Sequence, residues 1–252
     1  MNIGITGATG QMGSTVITQA RERDIDIGVA VSRSEVKESE VDVKNDDAFA
    51  TAVQDNNIDV IIDFTTPEAT LDYLQIATEF DIPMVIGTTG FSTTQTETIR
   101  EYGNNIPVLK ATNFSPSITV MRTLVREAAQ KLRNYDIEVT ETHHNRKNDA
   151  PSGTANTLLN DVKDVRDNIE ETHGRKGEET RTQGEIGVHA RRAGDIRGIH
   201  EMLLAGNDEI LTIKHRVESR KVFAIGALQA AEWIQDQEPG FYEFSEVLSD
   251  GI

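Results

Sequence analysis

The sequence has 252 residues, enough for one large domain or two smaller ones that each bury a hydrophobic core. It carries 25 Lys and Arg against 42 Asp and Glu, and a formal net charge of −17 excludes a broad electrostatic attraction to nucleic acid or to an anionic membrane surface. The lack of cysteine excludes disulfides, thiolate nucleophiles and cysteine zinc sites.

The sequence also indicates where in the cell the protein lies. The first residues show no signal-peptide pattern, and no apolar run approaches the roughly 18 residues that span a bilayer, so we expect neither secretion nor a membrane segment. We therefore predict a cytoplasmic protein. The acidic excess is typical of proteins from salt-loving organisms, in which salt screens a dense negative surface.

Short apolar runs alternate with amphipathic stretches in the first part of the chain. Strands are predicted at 2–6, 25–31, 58–63, 83–86 and 106–109. Helices are predicted between them at 11–22, 46–56, 67–80 and 93–102. This alternation predicts right-handed crossovers and a Rossmann-type, doubly wound parallel sheet.

In the second part of the chain, strands and helices no longer alternate regularly. A long amphipathic helix is predicted at 115–132, and an apolar helix at 221–234 is expected to pack back on the first domain. Strands are predicted at 137–143, 186–191, 199–205 and 209–217, with a hairpin turn at 206–208. They predict a second, largely antiparallel or mixed sheet. The polar stretch 161–184 is predicted to be a mobile surface loop.

Together these elements predict an α/β protein with two domains. The first, dinucleotide-binding domain comprises residues 1–114 with 219–252, and the second α+β domain comprises residues 115–218.

Glycines crowd the stretch GITGATGQMG, residues 4–13, between the first strand and the first helix. In this context Gly7 permits a tight turn, Gly10 lets the backbone approach a pyrophosphate, and Gly13 allows close packing of helix on sheet. The start of the helix offers unpaired N–H groups to an anion. The pattern predicts a dinucleotide site, with a purely structural turn as the alternative.

The end of the second strand bears on the type of dinucleotide. There the chain reads Val31, Ser32, Arg33, without the carboxylate that holds the ribose of NAD in many enzymes. An arginine can accept a 2′-phosphate and stack on adenine, so Arg33 favours NADP over NAD. The alternative is a solvated arginine, with Glu35 close by in the sequence.

The stretch ETHHNRKNDAPSGTA, residues 141–155, concentrates cationic donors in an otherwise acidic protein. His143, His144 and Lys147 can act on protons or bind anions, and Ser152 begins a new helix whose N–H groups suit a carboxylate. The combination predicts a small dicarboxylate substrate. One alternative is that these residues are exposed surface residues without a function. A metal site is another, but it lacks an obvious third ligand, so we expect no metal.

Seven motifs resemble one known family, that of 4-hydroxy-tetrahydrodipicolinate reductase, a nicotinamide-dependent reductase of lysine and diaminopimelate synthesis. They are GATGQMG, DFTTPEA, GTTG, ATNFSPS, ETHHNRKNDAPSGTA, RRAGDIRGIH and HRVESRKVFAIGAL. The resemblance spans nearly the whole chain, and the HHxxKxDxPSGTA pattern is highly specific. It implies reduction of 4-hydroxy-tetrahydrodipicolinate to tetrahydrodipicolinate with NADPH or NADH.

The resemblance also implies roles for residues of the second domain. His143 would act as acid or base, and Lys147 as proton donor. His144, Gly153 and Thr154 would hold the substrate carboxylates. Family members are usually homotetramers assembled through the second sheet, so we expect a homotetramer here.

For the cofactor, the resemblance implies contacts along three segments of the first domain. Their residues are Gly7, Ala8, Thr9, Gly10, Gln11, Met12, Gly87, Thr88, Thr89, Ala111, Thr112, Asn113 and Phe114. Two positions depart from the family pattern. Gln11 replaces a frequent basic residue, and Ser32 replaces the family's acid after the second strand.

Two alternative functions stay open. Another NADP-dependent dehydrogenase of a small acid would share the first domain, and a non-catalytic NADP-sensing protein would keep the glycine loop. A short-chain dehydrogenase would need a YxxxK pair, and no tyrosine of the sequence is followed by lysine at that spacing.

Overall fold

The structure is a computed structural model that describes residues 1–33, 41–178 and 180–251. The chain divides into two compact units. The first unit is Met1–Ser115 with Arg220–Ile252, and the second is Pro116–Ser219. Glu35, which the sequence places near Arg33, lies outside the described residues.

The first unit is built on a seven-stranded sheet in which every pairing is parallel. Its strands are β1 (Asn2–Thr6), β2 (Asp26–Val31), β3 (Val43–Lys44), β4 (Val60–Asp63), β5 (Met84–Ile86), β6 (Pro107–Lys110) and β12 (Gly240–Tyr242). They lie in the order β12-β6-β5-β4-β1-β2-β3, so the order reverses direction between β4 and β1. The predicted doubly wound sheet is confirmed.

Helices cover both faces of this sheet. They are α1 (Gln11–Arg21), α2 (Phe49–Asn56), α3 (Pro67–Glu79), α4 (Thr93–Tyr102), α7 (Lys221–Ile234) and α8 (Phe244–Ser249), with a short 3-10 turn at Asp46–Ala48. Residues of α1, α7 and α8 share one buried cluster, and residues of α2, α3 and α4 share the other. Because both faces are covered, β4 is buried at every position and reads as a continuous apolar run up to Asp63.

Local signals explain where several helices begin. The Thr66 side chain accepts a hydrogen bond from the Ala69 N–H, and Pro67 occupies the first turn of α3. Ser92 and Gln95 form a capping box at the start of α4. The predicted apolar helix at 221–234 is confirmed as α7, which packs against α1.

The second unit is built on a five-stranded mixed sheet. Its strands are β7 (Asp136–His143), β8 (Glu170–His173), β9 (Glu185–Arg192), β10 (Ile199–Gly206) and β11 (Glu209–Arg216). They lie in the order β11-β10-β7-β9-β8. Strands β7, β8 and β9 run parallel to one another, and β10 is antiparallel to both β7 and β11. Apolar residues of α5 (Pro116–Lys131) and α6 (Gly153–Lys163) share one buried core with this sheet.

The structure corrects the prediction of an unbroken loop at 161–184. Helix α6 continues to Lys163, and β8 lies inside the predicted loop as an edge strand paired with β9. A short polar edge strand has no buried face, so its residues do not alternate between apolar and polar. The sequence pattern therefore does not predict its pairing. The hairpin turn at 206–208 is confirmed, with positive φ at Asn207 and Asp208 as a type I′ turn requires.

Among the described residues, no helix combines the length and the apolar character needed to cross a bilayer.

Candidate active site and family

The glycine loop that follows β1 depends on two glycines for its shape. Gly7 has φ +74, and a Cβ there would overlap the carbonyl oxygen of Phe64. A Cβ on Gly13 would overlap the carbonyl oxygen of Gly7. No other residue type fits these positions without moving backbone, because the obstructing atoms belong to the main chain.

The same loop leads directly into the N-terminus of α1. Gly10 is the N-cap, and no acidic residue occupies the first turn. The Thr9 hydroxyl lies 2.5 Å from the hydroxyl of Ser32, which braces the loop against the end of β2. Thr9, Gly10 and Gln11 are exposed. A helix N-terminus with exposed backbone and no acidic side chain in its first turn can bind an anion, and it fits the pyrophosphate of a dinucleotide.

Asp63, at the carboxyl end of β4, has a structural role that the sequence pattern does not predict. Its carboxylate is fully buried. It accepts hydrogen bonds of 2.6 Å from four hydroxyls, those of Thr6, Thr65, Thr70 and Thr88. These bonds tie the ends of β1, β4 and β5 to α3. The DFTTPEA motif was the available signal, but the motif alone does not say what the aspartate holds.

The remaining predicted cofactor residues follow β5 and β6 at the same, carboxyl edge of the sheet. Thr89 and Thr112 are exposed there. The Thr88 side chain is buried on Asp63, and the Phe114 ring is buried against Phe64 and Phe244, so these two side chains support the edge from inside. Gly87, Ala111 and Asn113 complete the set after β5 and β6, whereas Ala8 lies in the glycine loop after β1 and Met12 in the first turn of α1.

Arg33 lies just after β2 with its side chain 56% exposed. Its Nε is 2.6 Å from a carboxylate oxygen of Asp46, and its Nη2 is 3.3 Å from one of Asp72. Hydrogen bonding to Asp46 raises the pKa of Arg33, with burial opposing the effect. The guanidinium is therefore present at the edge, but a phosphate would have to compete with two carboxylates for it.

In the second unit, the sheet brings the predicted catalytic histidine together with residues distant in the chain. His143 is the last residue of β7 and lies opposite Arg192, the last residue of β9. His200 on β10 lies opposite Glu141 on β7. The rings of His143 and His200 meet edge to face, with centroids 5.2 Å apart. His144 follows in the turn after the strand, half-buried.

Glu141 is the centre of this cluster. Its side chain is fully buried, and Arg192 holds both carboxylate oxygens in a two-pronged ion pair at 2.7 and 2.9 Å. His143 Nδ1 lies 2.5 Å from the second of these oxygens. Burial by itself would raise the pKa of Glu141, but hydrogen bonds from His143 and Arg192 outweigh it and lower the pKa to about 2.

The start of α6 and the turn before it complete the site. Ser152 is the N-cap of α6, and its hydroxyl accepts a hydrogen bond from the Ala155 N–H. A Cβ added to Gly153 would meet no atom within 4 Å, so open space adjoins the first turn, which also contains Thr154. The Lys147 ammonium lies 2.8 Å from a carboxylate oxygen of Asp149. A helix N-terminus, a lysine and histidines at one end of the sheet suit a substrate with carboxylates.

The buried His200 makes the stability of the protein sensitive to acid. Burial, with a smaller contribution from His143, lowers the pKa of His200 from 6.5 to about 4. The unfolded chain therefore binds a proton at a higher pH than the folded chain. Between pH 6.5 and 4 the free energy of unfolding falls as the pH falls, by up to about 3 kcal/mol in total.

We expect His200→Gln to remove most of this dependence. Between pH 7 and pH 5 the loss of stability is expected to shrink by about 2 kcal/mol, measured by urea unfolding. His173→Gln, at an exposed histidine, is the matched control. An unchanged pH dependence in His200→Gln would show that folding does not lower the pKa of His200.

In the three described ranges, no group of three or more His, Asp and Glu side chains is arranged to hold a metal ion.

Comparison with known proteins covers both units. The family model for the N-terminus of dihydrodipicolinate reductase matches residues 1–114, and the model for its C-terminus matches residues 117–248. The 4-hydroxy-tetrahydrodipicolinate reductase of Natronomonas pharaonis is 47% identical over 98% of this chain and 100% of that protein. That of Haloarcula marismortui is 45% identical over 98% of each chain. Both relatives come from halophilic organisms.

A solved structure shares the fold. The dipicolinate-bound dihydrodipicolinate reductase from Paenisporosarcina sp. TG-14 aligns with a TM-score of 0.80 and 21% identity, over 98% of this chain and 99% of that one. The family models account for almost the whole sequence, and each of these two relatives matches 98% of it. The chain therefore belongs to the dihydrodipicolinate reductase family.

Proposed function

We propose that this chain reduces 4-hydroxy-tetrahydrodipicolinate to tetrahydrodipicolinate with NADPH or NADH, as a cytoplasmic enzyme of lysine and diaminopimelate synthesis. The first unit would bind the cofactor along the glycine loop and the carboxyl edge of its sheet. The second unit would bind the cyclic dicarboxylate at the end of its own sheet, where His143 and the start of α6 lie.

The chemistry balances with one hydride, one proton and the loss of water. A nicotinamide cofactor held along the glycine loop would supply the hydride to the substrate ring. The ring hydroxyl leaves as water, and an acid supplies the proton that completes the reduction. Lys147 is the proposed donor, and His143 is the proposed acid or base. His144, Gly153 and Thr154 would hold the carboxylates and so orient the ring.

One observation carries this proposal beyond family membership. His143 and the N-cap of α6 both bond to the carboxylate of Glu141, so a proton-transfer group and a carboxylate-binding helix end belong to one cluster. A non-catalytic NADP-sensing protein has no need of that cluster. Another dehydrogenase of a small acid would not be expected to match both halves of the reductase family models.

The test measures the oxidation of reduced cofactor in the presence of enzymatically generated 4-hydroxy-tetrahydrodipicolinate. The loss of nicotinamide absorbance reports the reaction. Turnover that depends on this substrate supports the proposal. Tight NADPH binding without turnover would favour the sensing protein instead.

For the cofactor, we propose that NADPH is preferred because Arg33 can release Asp46 and Asp72 and bind the 2′-phosphate. A hydrogen bond to a charged group contributes about 1.5–3 kcal/mol, so Arg33→Ala should lower kcat/KM for NADPH about tenfold or more. The kcat/KM for NADH should change little. Arg23→Ala, at an exposed arginine just after the C-terminal end of α1, is the control. An unchanged NADPH to NADH ratio would contradict this role of Arg33.

We further propose that the chain forms a homotetramer through the outer edge of the second sheet. Among the described residues, the exposed large hydrophobic side chains are Val120, Leu124, Ile210 and Leu211. The first two lie on α5 and the last two on β11, an edge strand against which α5 packs. An apolar surface on an unpaired edge fits a contact between subunits.

A charge on this surface should reduce the assembly. We expect Ile210→Lys to lower the molar mass measured by light scattering from four chains to fewer, because the lysine would be buried in the interface. Gln75→Lys on α3 is the control. A monomeric wild-type protein would refute the proposed assembly.

A further inference from the structure

The carboxylate of Glu141 joins three parts of the candidate active site that are separate in the sequence. We propose that Glu141 and Arg192 are positioning residues, whose buried ion pair sets the tautomer of His143 and anchors both the Lys147 turn and the start of α6. This inference rests on the proposed function for its catalytic meaning. The pair touches no reacting atom in this proposal, and it acts through the residues it holds.

The first part is the ring of His143. Glu141 Oε2 lies 2.5 Å from His143 Nδ1. An ionised carboxylate can only accept hydrogen bonds, so Nδ1 must carry a hydrogen. The proton that His143 gains or loses in catalysis is then confined to Nε2. Nε2 lies beside Gly198, where an added Cβ would be 3.2 Å away, so the space next to this atom depends on a glycine.

The second part is the turn that carries Lys147. Arg192 Nη2 donates to Glu141 Oε1 at 2.7 Å and to the backbone carbonyl of Asp149 at 2.5 Å. The Asp149 carboxylate in turn lies 2.8 Å from the Lys147 ammonium. Arg192 thus links the proposed proton donor to the ion pair through the backbone of the turn, and it compensates the buried charge of Glu141.

The third part is the start of α6. The Ser152 N–H donates to Glu141 Oε1 at 3.2 Å, and the Ser152 hydroxyl caps the helix while lying 3.0 Å from His200 Nε2. The end of the helix that would bind substrate carboxylate is therefore held at the same carboxylate as His143. Two oxygens accept from His143, Ser152 and both prongs of Arg192.

Glu141→Gln tests the proposal because it changes one acceptor oxygen into an amide NH₂. The amide nitrogen can replace either carboxylate oxygen. At both positions a donor N–H would then face a donor of Arg192 and a donor of either His143 or Ser152. We expect kcat to fall about 100-fold, as for the loss of an oriented acid or base, with an unchanged Kd for NADPH. The ¹⁵N NMR signals of the His143 ring should change from one tautomer to a mixture.

Asp161→Asn is the matched control. Asp161 is a buried carboxylate of the same unit, held by Arg122 at 2.8 and 3.1 Å, but it lies near the C-terminal end of α6 and pairs with α5. This variant should lose stability, measured as Tm, while kcat and the His143 tautomer stay unchanged. If Glu141→Gln fails to fold, Glu141→Gln with Arg192→Met removes both charges together. The fold should return, and kcat should stay low.

The proposal is overturned if folded Glu141→Gln keeps kcat within about twofold of the wild type, since an oriented acid or base contributes about 10²-fold or more. It is also overturned if His143 keeps a single Nδ1–H tautomer in that variant. A wild-type protein without turnover refutes the proposed function instead. In that case the ¹⁵N spectra of the His143 ring and the affinity for dipicolinate, measured by calorimetry, still test the positioning role of Glu141 and Arg192.

Discussion

Replacing Lys147 with alanine is expected to lower kcat about 10²- to 10⁴-fold while the Kd for NADPH stays unchanged, because a positioned general acid contributes a factor of that size. The cofactor is expected to bind the first unit, and Lys147 belongs to the second. Its ion pair with Asp149 is partly exposed, and such pairs contribute only about 0–1 kcal/mol, so Tm should change little. Steady-state kinetics and cofactor titration measure the two parameters separately.

Lys163→Ala is the matched control for this prediction. Lys163 also pairs with a carboxylate, that of Glu171, but at the far end of α6 from Gly153. It should keep the wild-type kcat. If Lys147→Ala kept it as well, Lys147 would not be the proton donor, and His143 would be left as the remaining candidate.

Replacing Gly7 with alanine is expected to abolish measurable NADPH binding and to destabilise the protein. The backbone at Gly7 has φ +74, which costs an L-residue about 1–2 kcal/mol, and the added Cβ would overlap the Phe64 carbonyl oxygen. The loop would have to move, and with it the helix start that is proposed to hold the pyrophosphate. Cofactor fluorescence titration and thermal unfolding measure the two effects.

Two further variants separate strain from binding. Gly174 has φ +70 with no atom within 4 Å of an added Cβ, so Gly174→Ala has the backbone strain without the clash and lies in the other unit. It should lower Tm and leave the Kd for NADPH unchanged. Gly10 has φ −70, which alanine adopts freely, and an added Cβ would lie 3.0 Å from the Gly7 carbonyl oxygen, so Gly10→Ala should weaken NADPH binding with a smaller loss of stability than Gly7→Ala. Unchanged binding in Gly7→Ala or Gly10→Ala would exclude the loop as the pyrophosphate site.

The elements that the sequence predicted well share a physical cause. Strands β1 and β4 are short and buried on both faces, and α4 begins at a capping box, so local periodicity and capping mark them. The sequence pattern missed two short edge strands of the first sheet, β3 and β12, the polar strand β8 of the second, and the short helix α8. The three strands are held by pairing with another strand, β3 with β2, β8 with β9 and β12 with β6, which a local pattern does not record.

The amino-acid sequence by itself determined the doubly wound fold, the glycine loop and the stretch from His143 to Thr154, because each depends on residues close together in the chain. Only the tertiary structure decided what surrounds them. Arg192 meets Glu141 across 51 residues, and Thr6 meets Asp63 across 57. A buried carboxylate needs donors from wherever the fold can bring them, and no local spacing specifies those donors.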